Sequence, residues 1–115
     1  MSEVSPDVPA VGIVVINWHK PDATRACLAA LARLTYPRHS VVVVDNGSDD
    51  FNAAEIDRLA PGGQYLRSDT NLGFAGGANL GMSAALARGA DWVWFLNNDA
   101  LPEEQALSAL VDAAT

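Results

Sequence analysis

Short apolar runs alternate along this chain with segments whose apolar residues recur at helical spacing. The apolar runs occupy 11–16, 41–44 and 92–96, with a weaker run at 64–67. The first three lack polar alternation, which is typical of parallel strands covered on both faces. The helical segments cover 21–34, 51–59, 77–88 and 102–111. The pattern therefore predicts the order β-α-β-α-β-α-β-α.

Proline and glycine mark the limits of the predicted helices. Pro21 starts the first helix and Pro37 stops it, whereas Gly89 ends the third helix and Pro102 starts the fourth. The predicted inward faces are Ile56 and Leu59 in the second helix, Leu80, Ala84 and Ala87 in the third, and Leu107, Leu110 and Val111 in the fourth. Trp92 and Trp94 share one face of the last strand, where a core role is favoured.

Strands that alternate with helices indicate an α/β fold. We expect a three-layer α/β/α arrangement around a mainly parallel open sheet with right-handed crossovers. Residues 1–10 read as an irregular leader, and 11–115 as one domain. The chain has 115 residues, which fits a single domain.

Composition narrows the possible partners and compartment. The formal net charge of −7 argues against a nucleic-acid partner, because such binding needs clustered Lys and Arg. The single Cys27 allows no intrachain disulfide, fits a reducing compartment and lies at a core position of a helix. No apolar run reaches the length of a membrane helix. We expect a cytoplasmic protein.

Two apolar runs lead into polar residues that include carboxylates. Val41–Val44 leads into Asp45, and the run 92–96 leads into Asn97-Asn98-Asp99. Ligands of open α/β sheets bind outside the carboxyl ends of the strands. Asp45 is therefore a candidate for contact with a nucleobase or ribose, and Asp99 for contact with Mg²⁺ or Mn²⁺.

A glycine-rich segment, 71–79, lies between these two strand ends. Its glycines allow backbone to approach a ligand, and the following helix N-terminus favours a phosphate. The spacing matches neither G-x-G-x-x-G nor a Walker A loop. Each signal also has a plainer interpretation: Asp45 in a turn, Asp99 as a helix cap, and the glycines in tight turns.

Other polar and aromatic residues give weaker signals. His19 and His39 lack metal-ligand spacing and are expected on the surface or in loops. Trp18, just past the first strand, fits either a base pocket or core packing. Arg67 either meets a phosphate or pairs locally with Asp69.

Taken together, four segments resemble the N-terminal half of inverting family 2 glycosyltransferases with the GT-A fold. In order they are VGIVVINW (11–18), VVVDNGSD (42–49), NLGFAGGANLG (71–81) and FLNND (95–99). The third segment is most similar to the rhamnosyltransferase and galactofuranosyltransferase branch. The match covers nearly the whole chain after residue 10.

The resemblance implies a role for each matching position. Asp45 would bind the uracil or thymine base, and the strand end Ile16, Asn17 and Trp18 would lie beside it. Asn71 and Gly73 would approach the diphosphate of a UDP- or dTDP-sugar. Asp99 matches the last acid of the family's D-x-D motif and would hold Mn²⁺ or Mg²⁺. Asn97 replaces the first acid, which removes one charge, and would reach the ribose.

The resemblance also implies what this chain lacks. An inverting transfer needs a general base, and in the family that acid comes well downstream of the D-x-D position. We therefore expect a truncated donor-binding half without the acceptor half, weak or inactive alone, with its catalytic base outside this chain. The partners would be a nucleotide-sugar donor and a glycan or lipid-linked acceptor, and a lipid-linked acceptor would place the protein peripherally at the inner face of the membrane. Uncovered apolar surface further predicts self-association.

Two other classes compete with the glycosyltransferase interpretation. A nucleotidyltransferase would carry a glycine-rich loop with Arg and Lys after the first strand, where this chain has Asn17-Trp18-His19-Lys20-Pro21. A non-catalytic nucleotide-binding or receiver-like α/β domain would have paired acids after the first strand and a Lys after a fifth. Metal-dependent binding of UDP or dTDP would separate a glycosyltransferase from a non-catalytic domain.

Overall fold

Four strands and four helices alternate along the chain, in the predicted order. The computed structural model describes residues 8–114, so 1–7 of the predicted leader lie outside the described residues, and 8–10 form neither helix nor strand. The elements are β1 (Val11–Asn17), α1 (Pro21–Leu31), β2 (His39–Asn46), α2 (Ala53–Leu59), β3 (Gln64–Ser68), α3 (Gly73–Ala87), β4 (Trp92–Asn97) and α4 (Ala106–Ala114).

The strands form one parallel sheet with the order β3-β2-β1-β4. β1 and β2 lie in the middle, where a continuous apolar run is covered on both faces. Their register sets Asn17 beside Asp45, and β4 sets Asn97 beside Ile16. The carboxyl ends of the strands thus meet at one edge of the sheet, here called the carboxyl edge.

Helices cover both faces of the sheet, which confirms the α/β/α layers. Alternate side chains of a strand point to opposite faces. Ile13 packs in one cluster with Leu28 of α1, Ile56 of α2 and Leu107 of α4. Val14, on the other face, packs with Ala85 of α3. One layer therefore contains α1, α2 and α4, and the other contains α3.

The predicted limits of α1 and α2 need small corrections. α1 ends at Leu31, before Pro37, although Leu34 beyond it is still buried. α2 begins at Ala53, because the side chain of Asn52 caps it by accepting a hydrogen bond from the amide of Glu55 (2.8 Å). Ile56 of α2 is buried as predicted, whereas Leu59 is half-buried.

Helix α3 differs from the prediction in both its start and its buried face. It begins at Gly73, inside the glycine-rich segment, and buries Gly77, Gly81 and Ala85. The predicted inward face was wrong at Leu80 and Ala87, which are exposed, whereas Ala84 is half-buried and packs against the cluster that contains Val14. A Cβ at Gly81 would stand 2.3 Å from Cγ1 of Val14, so α3 lies against β1 at a distance that only small residues permit.

The end of α3 confirms the predicted role of Gly89. Its φ of 94° lies in the left-handed region that glycine adopts readily. The amide of Ala90 donates to the carbonyl of Ala85 (3.1 Å), and the amide of Gly89 donates to that of Leu86 (3.0 Å). This pair of bonds is the Schellman arrangement that terminates a helix.

Three expectations about the last strand and helix were wrong. α4 begins at Ala106, four residues after Pro102, because the intervening loop is fixed elsewhere: the amide of Thr35 donates to the carbonyl of Glu104 (2.9 Å). Leu110 is 48% exposed and not inward. Trp94 packs partly against the core, but Trp92 is 37% exposed since β4 is an edge strand.

Candidate functional site

Polar side chains gather where the three neighbouring strands β2, β1 and β4 end. Asn17 and Asp45 are 0% exposed, and they share the face of the sheet that packs on α1 and α2. Asn46 follows Asp45 and therefore points to the α3 face. One strand end thus supplies a polar side chain to each side of the sheet.

Asp45 is held entirely by groups of the protein. Its Oδ1 accepts hydrogen bonds from Oγ of Ser48 (2.5 Å) and Nδ2 of Asn17 (3.3 Å). Its Oδ2 accepts from the hydroxyl of Tyr65 (3.1 Å) and the amide of Asp50 (3.1 Å). These bonds fix the loop between β2 and α2. The interpretation of Asp45 as a residue that stabilises a turn therefore agrees with the observed contacts.

Asp45 and the half-buried Tyr65 form a hydrogen-bonded pair, and their surroundings determine whether each is ionised. Burial by itself raises the pKa of Asp45, but the bonds from Ser48, Asn17, Tyr65 and the amide of Asp50 outweigh it and lower that pKa below its ordinary value. Burial, together with the neighbouring carboxylate of Asp45, raises the pKa of Tyr65 to about 12. The pair therefore consists of a carboxylate and a neutral phenol at neutral pH.

Asn46 binds the start of the glycine-rich segment. Its Oδ1 accepts from the amide of Leu72 (2.9 Å), and its Nδ2 donates to Oδ1 of Asn71 (3.1 Å) and to the carbonyl of Gly73 (3.0 Å). Next to it, Gly47 has a φ of 88°, and a Cβ there would lie 2.5 Å from the amide nitrogen of Asn71. The end of β2 is thereby locked onto the start of α3.

A cleft of about 250 Å³ opens at the carboxyl edge, between the start of α3 and the ends of β1 and β4. Its lining combines neutral amides, backbone and apolar side chains. The lining residues are Ile16, Trp18, Asn46, Asn71, Gly73, Phe74, Leu96, Asn97 and Asn98. Since these residues carry no full charge, the cleft suits a ligand recognised by hydrogen bonds and stacking.

Two aromatic side chains at the cleft are largely exposed to solvent. Trp18 is 52% exposed and Phe74 is 67% exposed. The Trp18 ring lies 5.1 Å from that of His19, whose φ of 55° is unusual for a residue with a side chain. Core packing, one of the two interpretations offered for Trp18, is therefore excluded, and its position beside the cleft is compatible with the other, a base pocket.

The segment after β4 forms a turn, closed by the amide of Ala100 donating to the carbonyl of Asn97 (3.0 Å). Asp99 is exposed within this turn and is not among the residues that line the cleft.

Burial and the nearby carboxylate of Asp99 raise the pKa of Cys27 to about 11. Cys27 is thus a buried thiol at a core position, as predicted.

The remaining polar candidates stay outside the cleft. Arg67 pairs locally, with Asp49 (2.6 Å) and Asp69 (2.7 Å), rather than facing the cleft. His19 is exposed in the loop after β1, and His39 begins β2. Across residues 8–114 there is no group of three or more His, Cys, Asp or Glu side chains that could hold a metal ion.

The cleft brings together five of the eight predicted site residues: Ile16, Trp18, Asn71, Gly73 and Asn97. Asn17 and Asp45 are buried outside its lining, and Asp99 is exposed outside it. The sequence patterns did not single out Asn46, Phe74 and Asn98 as site residues. Each lies inside one of the quoted motifs, Asn46 in 42–49, Phe74 in 71–81 and Asn98 in 95–99, and this position was the signal that could have found them.

Fold and site together define an open α/β protein of the type whose ligands lie at the carboxyl ends of parallel strands. A family model, Glycosyl transferase family 2, matches residues 12–115. The chain therefore belongs to glycosyl transferase family 2, a family of transferases, as the four motifs predicted.

Two curated relatives that share 35% or more sequence identity with this chain are galactofuranosyltransferases. The chain is 41% identical over 92 residues to galactofuranosyltransferase GlfT1 of Mycobacterium tuberculosis, which covers 78% of this chain and 30% of the relative. It is 35% identical over 102 residues to GlfT1 of Mycolicibacterium smegmatis, covering 88% and 34%. The chain thus spans less than two thirds of these relatives' length.

Solved structures confirm the GT-A fold. TarS from S. aureus superposes with a TM-score of 0.73 at 24% identity, over 91% of this chain and 19% of that one. Mannosyltransferase PcManGT from Pyrobaculum calidifontis, in complex with GDP-Man and Mn²⁺, superposes with a TM-score of 0.73 at 24% identity, over 97% and 34%. At this identity the likeness concerns the fold.

Proposed function

We propose that this chain is the donor-binding part of an inverting glycosyltransferase and that the cleft takes a UDP- or dTDP-sugar. The observation that carries the proposal is the cleft itself, where residues from the four family motifs meet within about 250 Å³. The acceptor would be a glycan or a lipid-linked sugar. The family match and the galactofuranosyltransferase relatives support this choice of reaction.

The base and pentose suit the apolar part of the cleft. Trp18 and Phe74 offer exposed aromatic faces, and aromatic faces stack on bases whatever their sequence. Asn97, exposed at the end of β4, offers an amide for the ribose. All four hydrogen bonds of Asp45 are made with protein groups, so it would support the base indirectly, by holding the β2–α2 loop. Direct contact with the base would require the base to displace one of these partners.

The diphosphate suits the start of α3. No acidic residue lies in the first turn of this 15-residue helix, and the side chain of Leu72 at its N-cap makes no hydrogen bond. The first amides of a helix point outward and carry partial positive charge. Asn46 fixes this turn by accepting from the amide of Leu72 and donating to the carbonyl of Gly73. Asn71 accepts from the amide of Gly73 (2.8 Å), so the amides that follow Gly73 are the ones that would face the diphosphate.

A divalent cation fits Asp99 together with the ligand's own oxygens. Mg²⁺ is commonly held by one or two carboxylates together with substrate phosphates. The exposed carboxylate of Asp99 would therefore be enough to hold the cation with the ligand's phosphates, although residues 8–114 contain no cluster of acids that could hold a metal ion. A bound cation would neutralise the departing nucleoside diphosphate. Asp99 would position it, while the neutral cleft of this acidic chain adds no repulsion.

Isothermal titration of the 115-residue chain with UDP and dTDP, with and without Mn²⁺, tests the proposal. We expect binding that Mn²⁺ strengthens, and an Asp99→Ala variant that loses about tenfold or more of it, because one charged contact disappears. Glu103→Ala is the matched control, since Glu103 is an exposed acid four residues away beside a different groove.

Each outcome of the titration has a meaning. Binding that needs both Mn²⁺ and Asp99 supports a donor site, and the stronger of the two nucleotides identifies the base. A folded chain that binds neither nucleotide counts against the proposal. Equal losses in Asp99→Ala and Glu103→Ala would show a general effect of charge and no cation site at Asp99.

A further inference from the structure

Helix α1 supplies no residue to the lining of the cleft, yet it holds two segments that border the cleft. Thr24 of α1 is 0% exposed, and its Oγ1 accepts a hydrogen bond from Nδ2 of Asn98 (3.1 Å). The same Oγ1 donates to Oδ1 of Asn17 (2.7 Å). One buried hydroxyl therefore joins α1 both to the end of β1 and to the turn that follows β4.

The turn that carries Asp99, residues 97–100, is attached to α1 through side chains. Within residues 8–114, the bond from Asn98 to Thr24 is the one side-chain hydrogen bond of the segment 98–102. A second contact comes one helical turn later, where Sγ of Cys27 lies 3.9 Å from the carbonyl oxygen of Asn97. Because a thiol is a weak donor, Thr24 provides the stronger of the two attachments.

The neighbours of Asn17 determine how the Thr24 hydroxyl is used. Nδ2 of Asn17 donates to Oδ2 of Asp50 (2.9 Å) and to Oδ1 of Asp45 (3.3 Å), so Asn17 presents its carbonyl oxygen to Thr24. The hydroxyl has one proton, which goes to that oxygen, and its lone pairs remain for the NH₂ group of Asn98. Thr24 is therefore donor and acceptor at once, which an apolar side chain of the same shape cannot be.

We propose that Thr24 is a positioning residue, which holds the turn after β4 so that the carboxylate of Asp99 meets the cation bound with the nucleotide. Thr24 itself contacts neither of them, because it is buried outside the lining of the cleft. The inference rests on the proposed function, since it requires the cation and the nucleotide of that site. It adds that the cation's share of the affinity depends on a hydroxyl of α1.

Loss of this hydroxyl has a specific consequence for binding. Without it, the turn that carries Asp99 would have to be ordered at the moment the cation binds, and ordering of this kind lowers affinity. Asp99 is needed only for the cation, so the loss should fall on the gain in nucleotide affinity that Mn²⁺ provides. This gain distinguishes a positioning role from general damage to the cleft, which weakens binding with and without the metal.

The test measures the Mn²⁺ gain, the ratio of UDP affinities with and without Mn²⁺, by isothermal titration. Thr24→Val keeps the shape of threonine without its hydroxyl, while Thr24→Ala and Thr24→Ser differ from each other only in the hydroxyl. The Val and Ala variants should lose about three- to tenfold of the gain, the effect of one hydrogen bond, and the Ser variant should retain it. Thr35→Val is the control, because its hydroxyl bonds the carbonyl of Glu104 (3.2 Å) instead.

Two further measurements ask whether Thr24 acts through the turn. In the presence of Mn²⁺, Thr24→Val combined with Asp99→Ala should bind UDP as Asp99→Ala does, because the carboxylate that Thr24 positions is already gone. Hydrogen exchange needs neither metal nor nucleotide. The amide of Ala100, which donates to the carbonyl of Asn97 within the turn, should exchange faster in Thr24→Val and Thr24→Ala than in wild type and Thr24→Ser.

The outcomes separate this inference from the proposed function. Urea unfolding identifies the folded variants, and the Ala and Ser pair decides if Thr24→Val does not fold. A full Mn²⁺ gain in Thr24→Ala, an equal loss in Thr24→Ser, or additive losses with Asp99→Ala each overturn the role of Thr24 and leave the donor site standing. A folded wild type that binds UDP without a gain from Mn²⁺, or binds no UDP, overturns the proposed function and the inference with it.

Discussion

At the scale of single residues, Asp45 has an architectural role before any role in binding. It is 0% exposed, and both of its oxygens accept hydrogen bonds from the protein. Its predicted contact with a nucleobase stays a prediction. The observed bonds tie β1, β3 and the β2–α2 loop to the end of β2, so the carboxylate stabilises the edge on which the cleft is built.

Asp45→Asn should therefore destabilise the fold by about 1–3 kcal/mol, because an amide cannot accept all four hydrogen bonds. The folded-state pKa of Asp45 is lowered, so its stabilisation is present above the ordinary carboxyl pKa, near ~4, and is lost as the pH falls through the folded-state value. Urea unfolding measured from pH 7 down to pH 3 should show a smaller loss for the variant than for wild type.

The matched control for this experiment is Asp57→Asn, since Asp57 is an acid exposed on α2. It should reproduce the wild-type stability and acid profile. If Asp45→Asn behaved in the same way as Asp57→Asn at every pH, the stabilising role of the Asp45 carboxylate would be wrong.

At the scale of elements, α3 determines the shape of the cleft through its close contact with the sheet. Gly77, Gly81 and Ala85 form its buried face, and a Cβ at Gly12 of β1 would stand 2.6 Å from that of Ala85. A larger residue at any of these points would lift the helix. The start of the same helix forms one wall of the cleft, so its distance from β1 bears on binding.

Gly81→Ala should destabilise the protein by about 1–2 kcal/mol. The alanine gains helix propensity, about 1 kcal/mol, but its Cβ would stand 2.3 Å from Cγ1 of Val14, and overpacking of this kind costs more. Chemical denaturation measures the change. Ser83→Ala, exposed on the same helix, is the control and should be neutral or slightly stabilising.

The double variant Gly81→Ala with Val14→Ala isolates the clash. Removal of the Val14 methyl groups makes room for the new Cβ, so the two changes together should cost less than the sum of the single ones. Strict additivity would mean that α3 has moved away from β1 and that the close approach is not the cause.

Sequence patterns predicted the elements well where the signal is local. Apolar runs identified the strands, and Gly89 identified the end of α3. The buried face of α3 was missed because Leu80 fitted helical spacing, whereas the observed face depends on how near β1 lies. The bond from Asn98 to Thr24 joins residues 74 positions apart, and no local pattern reports such a pair.

The candidate site was predictable to the same extent. Asp45 and Asn71 stood out from the chemistry of their own segments. Asn46 did not, because its role arises only when the end of β2 meets the start of α3, 25 or more residues later. Residues that carry the chemistry of a recognisable motif were easier to predict than residues that hold the walls of the cleft.

At the scale of the whole molecule, the sheet has one open apolar edge. β4 pairs with β1 on one side, and its segment Trp92–Asn97 has no charged side chain. Trp92 is 37% exposed, Phe95 is 40% exposed and Leu110 nearby is 48% exposed. Edge strands of soluble proteins usually carry charge or proline to prevent pairing. No helix among residues 8–114 is long and apolar enough to cross a membrane.

We expect the self-association to take place at this edge, with a second copy of the chain pairing along β4. Light scattering should show a mass that rises with protein concentration, and with salt, because a net charge of −7 opposes association. Phe95→Lys should shift the chain towards the monomer. The same substitution at Leu86, 50% exposed on α3, should not.

A monodisperse monomer at all concentrations would refute the expected self-association. Equal effects of Phe95→Lys and Leu86→Lys would indicate that added charge, and not the β4 edge, controls association.

Asp45 and Asn46 have a consequence that comes from their being neighbours in the chain. One stabilises the loop beneath the cleft and the other holds the start of α3, although a single peptide bond separates them. Inserting or deleting one residue in β2 would exchange their faces, so we expect changes of length to be tolerated in the loops around this strand but not within it. A variant in which Asp45 and Asn46 exchange places would keep the composition and net charge of the chain, yet the carboxylate and the amide would each face the wrong layer of helices.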